Sequence, residues 1–409
     1  MEFKHTTLDN GLTIAAEVNP QAQSMAVGFF ARTGSRDETP EVSGVSHFLE
    51  HMMFKGTERR TAFDVNREFD ELGANYNAFT SEENTVYYAA VLPEFQAQLM
   101  DLMGDMLRPS LRQDDFDIEK NVILEEIALY EDQPQFRVYD WLMSQYFHDH
   151  PLGNMILGTK ESIETMKRDD MQAYFDRRYS PTNVTLVAVG NVDFDALVEQ
   201  ARTHCGRWVP LEAPRHVEPA NGATNSLVVH DPSLVRETVA MMSAAPSAQD
   251  EARYAATLAS VIVGDVSGSR LYYALVDPAV ADEAVMSYSP MDGAGTFMTF
   301  LSGEPGRSAE ILQIARDVIG KFLEEGPTET ELQAAKNKIA TAATAKGELP
   351  MGRLTSVGFD WVYRQAYVPL MEQIETLFTA TTGEVLDVAR TYDMQRCATL
   401  ALGPAETIE

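Results

Sequence analysis

The sequence predicts an α+β protein built as two halves, each running strand, strand, helix and then further strands and helices. Three observations carry that reading. The chain has 409 residues, too many for one hydrophobic core. Short apolar runs suited to strands alternate with amphipathic stretches at helical spacing, in a similar order on both sides of the middle. Between Pro210 and Asn225 the composition shifts, and Pro210, Pro214, Pro219 and Gly222 mark a linker. The expected division is residues 1–212 as one domain, 213–225 as the linker and 226–409 as a second domain of related element order.

In the first half, Leu8 to Val18 is a turn feeding a strand, and Met25 to Arg32 is an apolar run for a buried strand. Gly34 to Pro40 is loop, and Ser43 or Gly44 can start a helix. Ala62 to Leu72 is a second helix, stopped by Gly73. Asn75 to Thr80 and Thr85 to Val91 form two strands around an acidic turn at Glu82-Glu83-Asn84. Phe95 to Met106 and Phe116 to Tyr130 are amphipathic helices, and Val184 to Val189 is another apolar strand. The second half restarts with strands at Ser226 to His230 and Glu237 to Ala244, then a helix from Gln249 to Val263. Helices over Ala309 to Glu325 and Thr328 to Ala345 follow, with a closing strand at Cys397 to Gly403.

Acidic residues number 62 against 32 basic ones, a formal net charge of −30. Such a surface repels nucleic acid and anionic membranes, so neither is an expected partner. The charge serves solubility, or forms an acidic chamber that attracts basic peptides. Only Cys205 and Cys397 are present, which excludes a disulfide framework and leaves no cysteine cluster to compete for a metal. Met1 to His5 lacks the pattern of a signal or transit peptide, and no apolar stretch approaches the ~20 residues of a membrane helix. The expected location is the cytoplasm of a bacterium, with periplasm or mitochondrial matrix reserved for a chain that has lost a presequence.

The chemistry is concentrated in His47-Phe48-Leu49-Glu50-His51. Residues four apart share a helix face, so His47 and His51 can aim both imidazoles at one ion. Glu50 is placed to reach a water at that ion without ligating it, the inverted His-x-x-Glu-His order of a water-activating hydrolase. A catalytic zinc takes a third protein ligand. Glu119 and Glu126 lie seven apart on the helix around Ile118 to Ile127 and share one face. Zinc would compensate such a carboxylate pair, and a solvated acidic stripe would also produce it.

At these residues the chain resembles the pitrilysin/insulinase-like zinc peptidases, particularly the short-chain branch that includes mitochondrial processing peptidase and its bacterial homologues. His47 through Thr57 is similar to the family's metal helix, Asn77-Ala78-Phe79-Thr80-Ser81 to its active-site edge strand, and Val122 to Glu126 to its third-ligand helix. Glu126 falls 75 positions after His51, near the family spacing. His150-Pro151-Leu152-Gly153 and Ile156-Leu157-Gly158-Thr159 match as well. The resemblance implies one zinc per chain on His47, His51 and Glu126, with Glu50 as catalytic base and Glu119 positioning a ligand. It implies that Asn77, Ala78, Phe79 and Thr80 bind peptide by strand addition. It also implies mainly antiparallel sheets with helices on one face, the two halves together forming half of a clamshell chamber.

The family's second half carries an Arg and, seven residues later, a Tyr after a Ser-Arg-Leu motif. Here that motif is Ser269-Arg270-Leu271, but the two positions hold Val276 and Glu283, with Tyr288 offset. The expectation is a zinc endopeptidase or oligopeptidase that is the catalytic subunit of a heterodimer whose homologous partner supplies the Arg/Tyr pair, a homodimer being the alternative assembly. The rival reading is a non-catalytic or weakly active processing or scaffold subunit.

Overall fold

The computed structural model describes residues 1–408. In chain order its elements begin with β1 (Glu2–Thr7), β2 (Thr13–Val18), β3 (Met25–Ala31), α1 (Val45–Met53), α2 (Ala62–Glu71), β4 (Asn75–Thr80) and β5 (Thr85–Val91). Next come α3 (Gln96–Met106), α4 (Gln113–Glu131), α5 (Pro134–Phe147), α6 (Lys160–Thr165), α7 (Arg168–Arg178), β6 (Val184–Gly190) and α8 (Phe194–Cys205). The remainder is β7 (Ser226–His230), β8 (Glu237–Ala244), α9 (Arg253–Gly264), β9 (Glu283–Met291), β10 (Ala294–Gly303), α10 (Ser308–Glu325), α11 (Glu329–Gly347), α12 (Pro350–Arg364), α13 (Leu370–Thr379), α14 (Thr382–Thr391) and β11 (Ala398–Gly403).

These elements form two compact units, neither contiguous in sequence. The first comprises residues 1–128, 154–216 and 344–368, and the second residues 129–153, 217–343 and, of the described residues, 369–408. Two of the five breaks, 128/129 and 343/344, fall in the last turns of the 19-residue helices α4 and α11. Each helix stops three residues before a proline, and Pro134 and Pro350 each open the following helix. The ring has no N–H to give, and it pushes the preceding residue out of helical conformation, so the chain turns there.

The first unit holds a six-stranded sheet in the order β1-β2-β6-β3-β5-β4, in which only β2 and β6 run parallel. Every residue of β3 is buried because both faces of the sheet are covered there. Met25, Val27, Phe29 and Ala31 pack into the main core with α1 and α3, while Ala26 and Phe30 meet Leu354 and Val357 of α12. The continuous apolar run read from sequence is therefore two alternating faces, each with its own cover. At the crossing, a Cβ on Gly358 would lie 2.2 Å from the Phe30 ring, so glycine permits the close approach.

The second unit repeats the plan with five strands, β7-β11-β8-β10-β9, in which only β7 and β11 are parallel. Strand for strand this matches β2-β6-β3-β5-β4. The duplication expected from element order is thus a duplication of sheet topology. Helix α5 packs on β8 and β11 within the second unit, as α12 packs on β3 and β6 within the first. The α+β class and the mainly antiparallel sheets agree with expectation. No helix among the described residues is long and apolar enough to cross a membrane.

Candidate metal centre

The site is built on α1, and its start is held firmly. Gly44 caps the helix at φ 90, a left-handed conformation, and a Cβ there would lie 2.5 Å from the Leu157 carbonyl. Glu38 accepts from the backbone N–H groups of Gly44 and Ser46, each at 2.7 Å, so a carboxylate closes the positive end of the helix. Burial pushes the Glu38 carboxyl up to about 8 against the pull of those two amides.

One turn on, the His47 and His51 rings meet edge to face with their centres 4.7 Å apart. From α4, Glu126 brings Oε2 to 3.8 Å from His47 Nε2 and 3.5 Å from His51 Nε2. One ligand atom from each of the three lies within 4.8 Å of the others. Burial, with the neighbouring His51 charge, drops the His47 pKa to about 3, so this imidazole is neutral with a free electron pair. Its Nδ1 is buried without a hydrogen-bond partner. Burial also raises the pKa of Glu126.

Glu119, one heptad before Glu126, places Oε1 2.8 Å from His51 Nδ1 and Oε2 2.5 Å from Lys55 Nζ. Burial opposes charge on both His51 and Glu119, but their mutual bond, joined by the Glu126 and Glu50 charges at His51 and by Lys55 at Glu119, outweighs it: His51 stands above its ordinary pKa and Glu119 below. Lys55 was quoted in sequence only as part of the metal-helix run; its ion-pair role needs a partner 64 residues away, invisible to local pattern.

Glu50 shares the site, and burial lifts its pKa above the usual carboxylate range. Thr80 donates its hydroxyl proton to Glu50 Oε2 at 2.6 Å, which ties β4 to the metal helix. Strand β4 ends the sheet and pairs only with β5. Ser81 N–H donates to the Asn84 carbonyl at 2.8 Å in the register of the hairpin. Antiparallel alternation then gives Phe79 and Asn77 backbone bonds to β5, and turns those of Thr80, Ala78 and Tyr76 toward the open edge. The outward Ala78 N–H is held by Asn77 Oδ1 at 2.8 Å. The Phe79 ring lies on the other face, 6.3 Å from that of Phe359.

The second unit lacks comparable machinery at the positions flagged in sequence. Arg270 is consumed by Glu331, at 2.7 and 2.8 Å, and by the Gly326 carbonyl. The Tyr288 hydroxyl donates to the Pro246 carbonyl at 2.8 Å. His150 accepts from Leu152 N–H in a loop, and His204 stands 3.2 Å from Asp101.

Residues 13–160 match the family described as Insulinase (Peptidase family M16), and residues 165–339 match the family's partner domain, described as Peptidase M16 inactive domain. The chain is 31% identical over 411 residues to an uncharacterized zinc protease of Mycobacterium tuberculosis, covering 98% of this chain and 93% of that protein. The chain belongs to peptidase family M16, the insulinase family. It is a zinc metallopeptidase of that family, and a second M16 relative, the uncharacterized zinc protease YmxG of Bacillus subtilis, is 28% identical over 412 residues, 98% of each chain. A protease from Helicobacter pylori shares the M16 fold at TM-score 0.92 and 22% identity, over 98% of this chain and 99% of that one. A Pseudomonas fluorescens structure described as a peptidase M16 inactive domain gives TM-score 0.91 at 18% identity, over 100% of both chains.

The residues present fit zinc. Two imidazoles and a carboxylate are the donor set of hydrolytic zinc sites, and one imidazole is oriented by a second carboxylate, as such ligands usually are.

Proposed function

We propose that this M16 peptidase hydrolyses extended peptides that add as a strand to the open edge of β4, with His47, His51 and Glu126 holding zinc. Bound there, zinc supplies Lewis-acid polarisation of a water and of the scissile carbonyl. Glu50 accepts a proton from the attacking water and delivers it to the leaving amine nitrogen. Its raised pKa brings it nearer neutrality, where one group both takes and returns a proton efficiently. Glu119 positions the His51 ring, and Lys55 holds Glu119 ionised. The observation that carries this reading is the 2.6 Å bond from Thr80 to Glu50, because it joins the base to the strand that would receive the peptide. Recognition through backbone bonds reads shape more than sequence, so selectivity is broad.

The test is Glu50→Gln, which should abolish hydrolysis of an extended fluorogenic peptide while about one zinc per chain remains. Near-normal turnover in that variant would sink the assignment. The assembly follows from the second unit. Val276 and Glu283 stand where relatives of this fold type carry the Arg/Tyr pair, so a homologous second subunit supplies that pair in a heterodimer. Native mass and activity of the chain with and without a co-expressed homologue decide it: a fully active purified homodimer overturns the heterodimer.

A further inference from the structure

A cavity of about 670 Å³ opens in the first unit among α3, α7, α8 and the segment after α8. None of its lining residues belongs to the metal cluster or to β4. Its volume falls in the range of small-molecule sites. The walls are mostly apolar, with Phe175, Tyr179, Trp208, Val209 and Leu211. Val209 and Leu211 are 70% and 45% exposed, an apolar lip with no cover.

The charges are what distinguish it. Arg108 lies 3.7 Å over the Trp208 ring and 5.4 Å from that of Phe175. It donates to the Leu107 carbonyl at 2.7 Å and to the Tyr179 carbonyl at 3.1 Å. Burial drops its pKa to about 10, offset only in part by nearby groups that include Asp176, and among the described residues no carboxylate forms an ion pair with it. Every other cation near the cavity floor is matched: Arg59 and Arg60 pair with Asp101 and Asp105, and His204 with Asp101. Of the lining carboxylates, Asp105 is spent on those arginines, while Asp176 accepts from Gln172 and favours the Arg108 charge from a distance without an ion pair. Arg207, exposed at the mouth, adds a second guanidinium without an ion pair among the described residues. In a chain of net charge −30, two unmatched arginines around an aromatic hollow form a local exception. A partly desolvated guanidinium stacked on an aromatic ring is weakly hydrated and keeps N–H donors free for a planar anion.

We propose that this cavity binds a small organic carboxylate, its head group on Arg108 and Arg207 and its apolar body against Trp208, Phe175, Val209 and Leu211. Inorganic anions lack the body and neutral analogues lack the head, so both bind more weakly.

The experiment is calorimetric titration of the full-length zinc-loaded protein with 4-phenylbutyrate, 4-phenylbutanol and inorganic phosphate. Saturable one-to-one binding of phenylbutyrate is expected, with a Kd on the order of 1 mM or tighter. The alcohol and phosphate should each bind at least about tenfold more weakly, the worth of one charge-assisted hydrogen bond or of the buried body. Arg207→Glu, at an exposed position that leaves the fold intact, should weaken phenylbutyrate about tenfold, and Arg108→Gln should do so at least as much. Absence of saturable binding up to about 10 mM overturns the proposal. So does binding unchanged in Arg207→Glu, which is also the result if the carboxylate simply sits on zinc.

Discussion

Glu119 stands between His51 and Lys55: its Oε1 lies 2.8 Å from His51 Nδ1 and its Oε2 2.5 Å from Lys55 Nζ. His51 lies in the last turn of α1, Lys55 follows just beyond its C-cap, and Glu119 precedes Glu126 by two turns of α4. Helix α4 thus contributes a ligand candidate and the group that aims another ligand. Its mean position fixes both.

Glu119→Gln keeps the shape of that contact and removes its charge. The imidazole of His51 keeps an acceptor but loses the negative charge that raises its basicity, and Lys55 loses its counter-ion. Zinc affinity should fall by roughly 10–100-fold. Competition against a chelator of known affinity measures it, and an unchanged zinc affinity would show that Glu119 does not act through His51.

Thr80→Val tests the link between the edge strand and the base. Burial raises the Glu50 pKa, and the Thr80 hydroxyl, donating to the ionised form, pulls it back down. Removing the hydroxyl therefore raises the pKa further. Since Glu50 works as a base only when ionised, the acid limb of kcat/KM should move to higher pH and the alkaline limb should stay in place. A profile identical to that of the parent enzyme would separate Thr80 from the base.

Much of this site was legible because its parts are local. The His47/His51 pair needs only the pitch of one helix, and β3 to β5 need only short apolar or β-prone runs bounded by turn residues. The links between parts were not. Thr80 to Glu50 spans 30 residues, Glu119 to His51 spans 68, and Glu38 to the start of α1 crosses a loop with no repeat to read. Of the breaks between the compact units, the one at 216/217 falls within the proline-rich stretch at 210–225, whereas those at 128/129, 153/154, 343/344 and 368/369 have no such mark in composition. The apolar faces of α5 and α12 find their sheets through tertiary packing, and a helix pattern carries no address for its target. Strands β9 and β10 escaped for a related reason. In β9 the polar Ser287 and Ser289 hold exposed positions and Pro290, a poor strand former, follows them, so no apolar run spans the strand.

The crossing of α12 over the first sheet gives a stability prediction with an inverted sign. Glycine inside a helix usually weakens it, so glycine to alanine normally stabilises by about 0.5–1 kcal/mol. At Gly358 the added methyl would meet the fully buried Phe30 ring at 2.2 Å. Gly358→Ala should instead destabilise by about 1–3 kcal/mol through overpacking. Urea unfolding should show a lower midpoint with an unchanged slope. A midpoint at or above that of the parent would mean that α12 does not lie this close to β3.

The register of β4 yields a paired test of strand addition. Ala78 turns its N–H to the open edge, where Asn77 Oδ1 occupies it, whereas Phe79 spends its N–H on β5. Proline lacks that donor and is tolerated on an edge strand only where the N–H faces outward. Ala78→Pro should therefore leave folding and zinc content nearly unchanged. It should raise KM for an extended peptide by roughly 2–12-fold, the worth of one backbone hydrogen bond of 0.5–1.5 kcal/mol. Phe79→Pro breaks the ladder itself and should lower the unfolding midpoint. The two variants exchange their effects if the register is shifted by one residue, because such a slip turns every inward group outward. Steady-state kinetics and thermal unfolding of both proteins decide between the registers, and equal KM values for parent and Ala78→Pro would remove the edge of β4 from peptide binding.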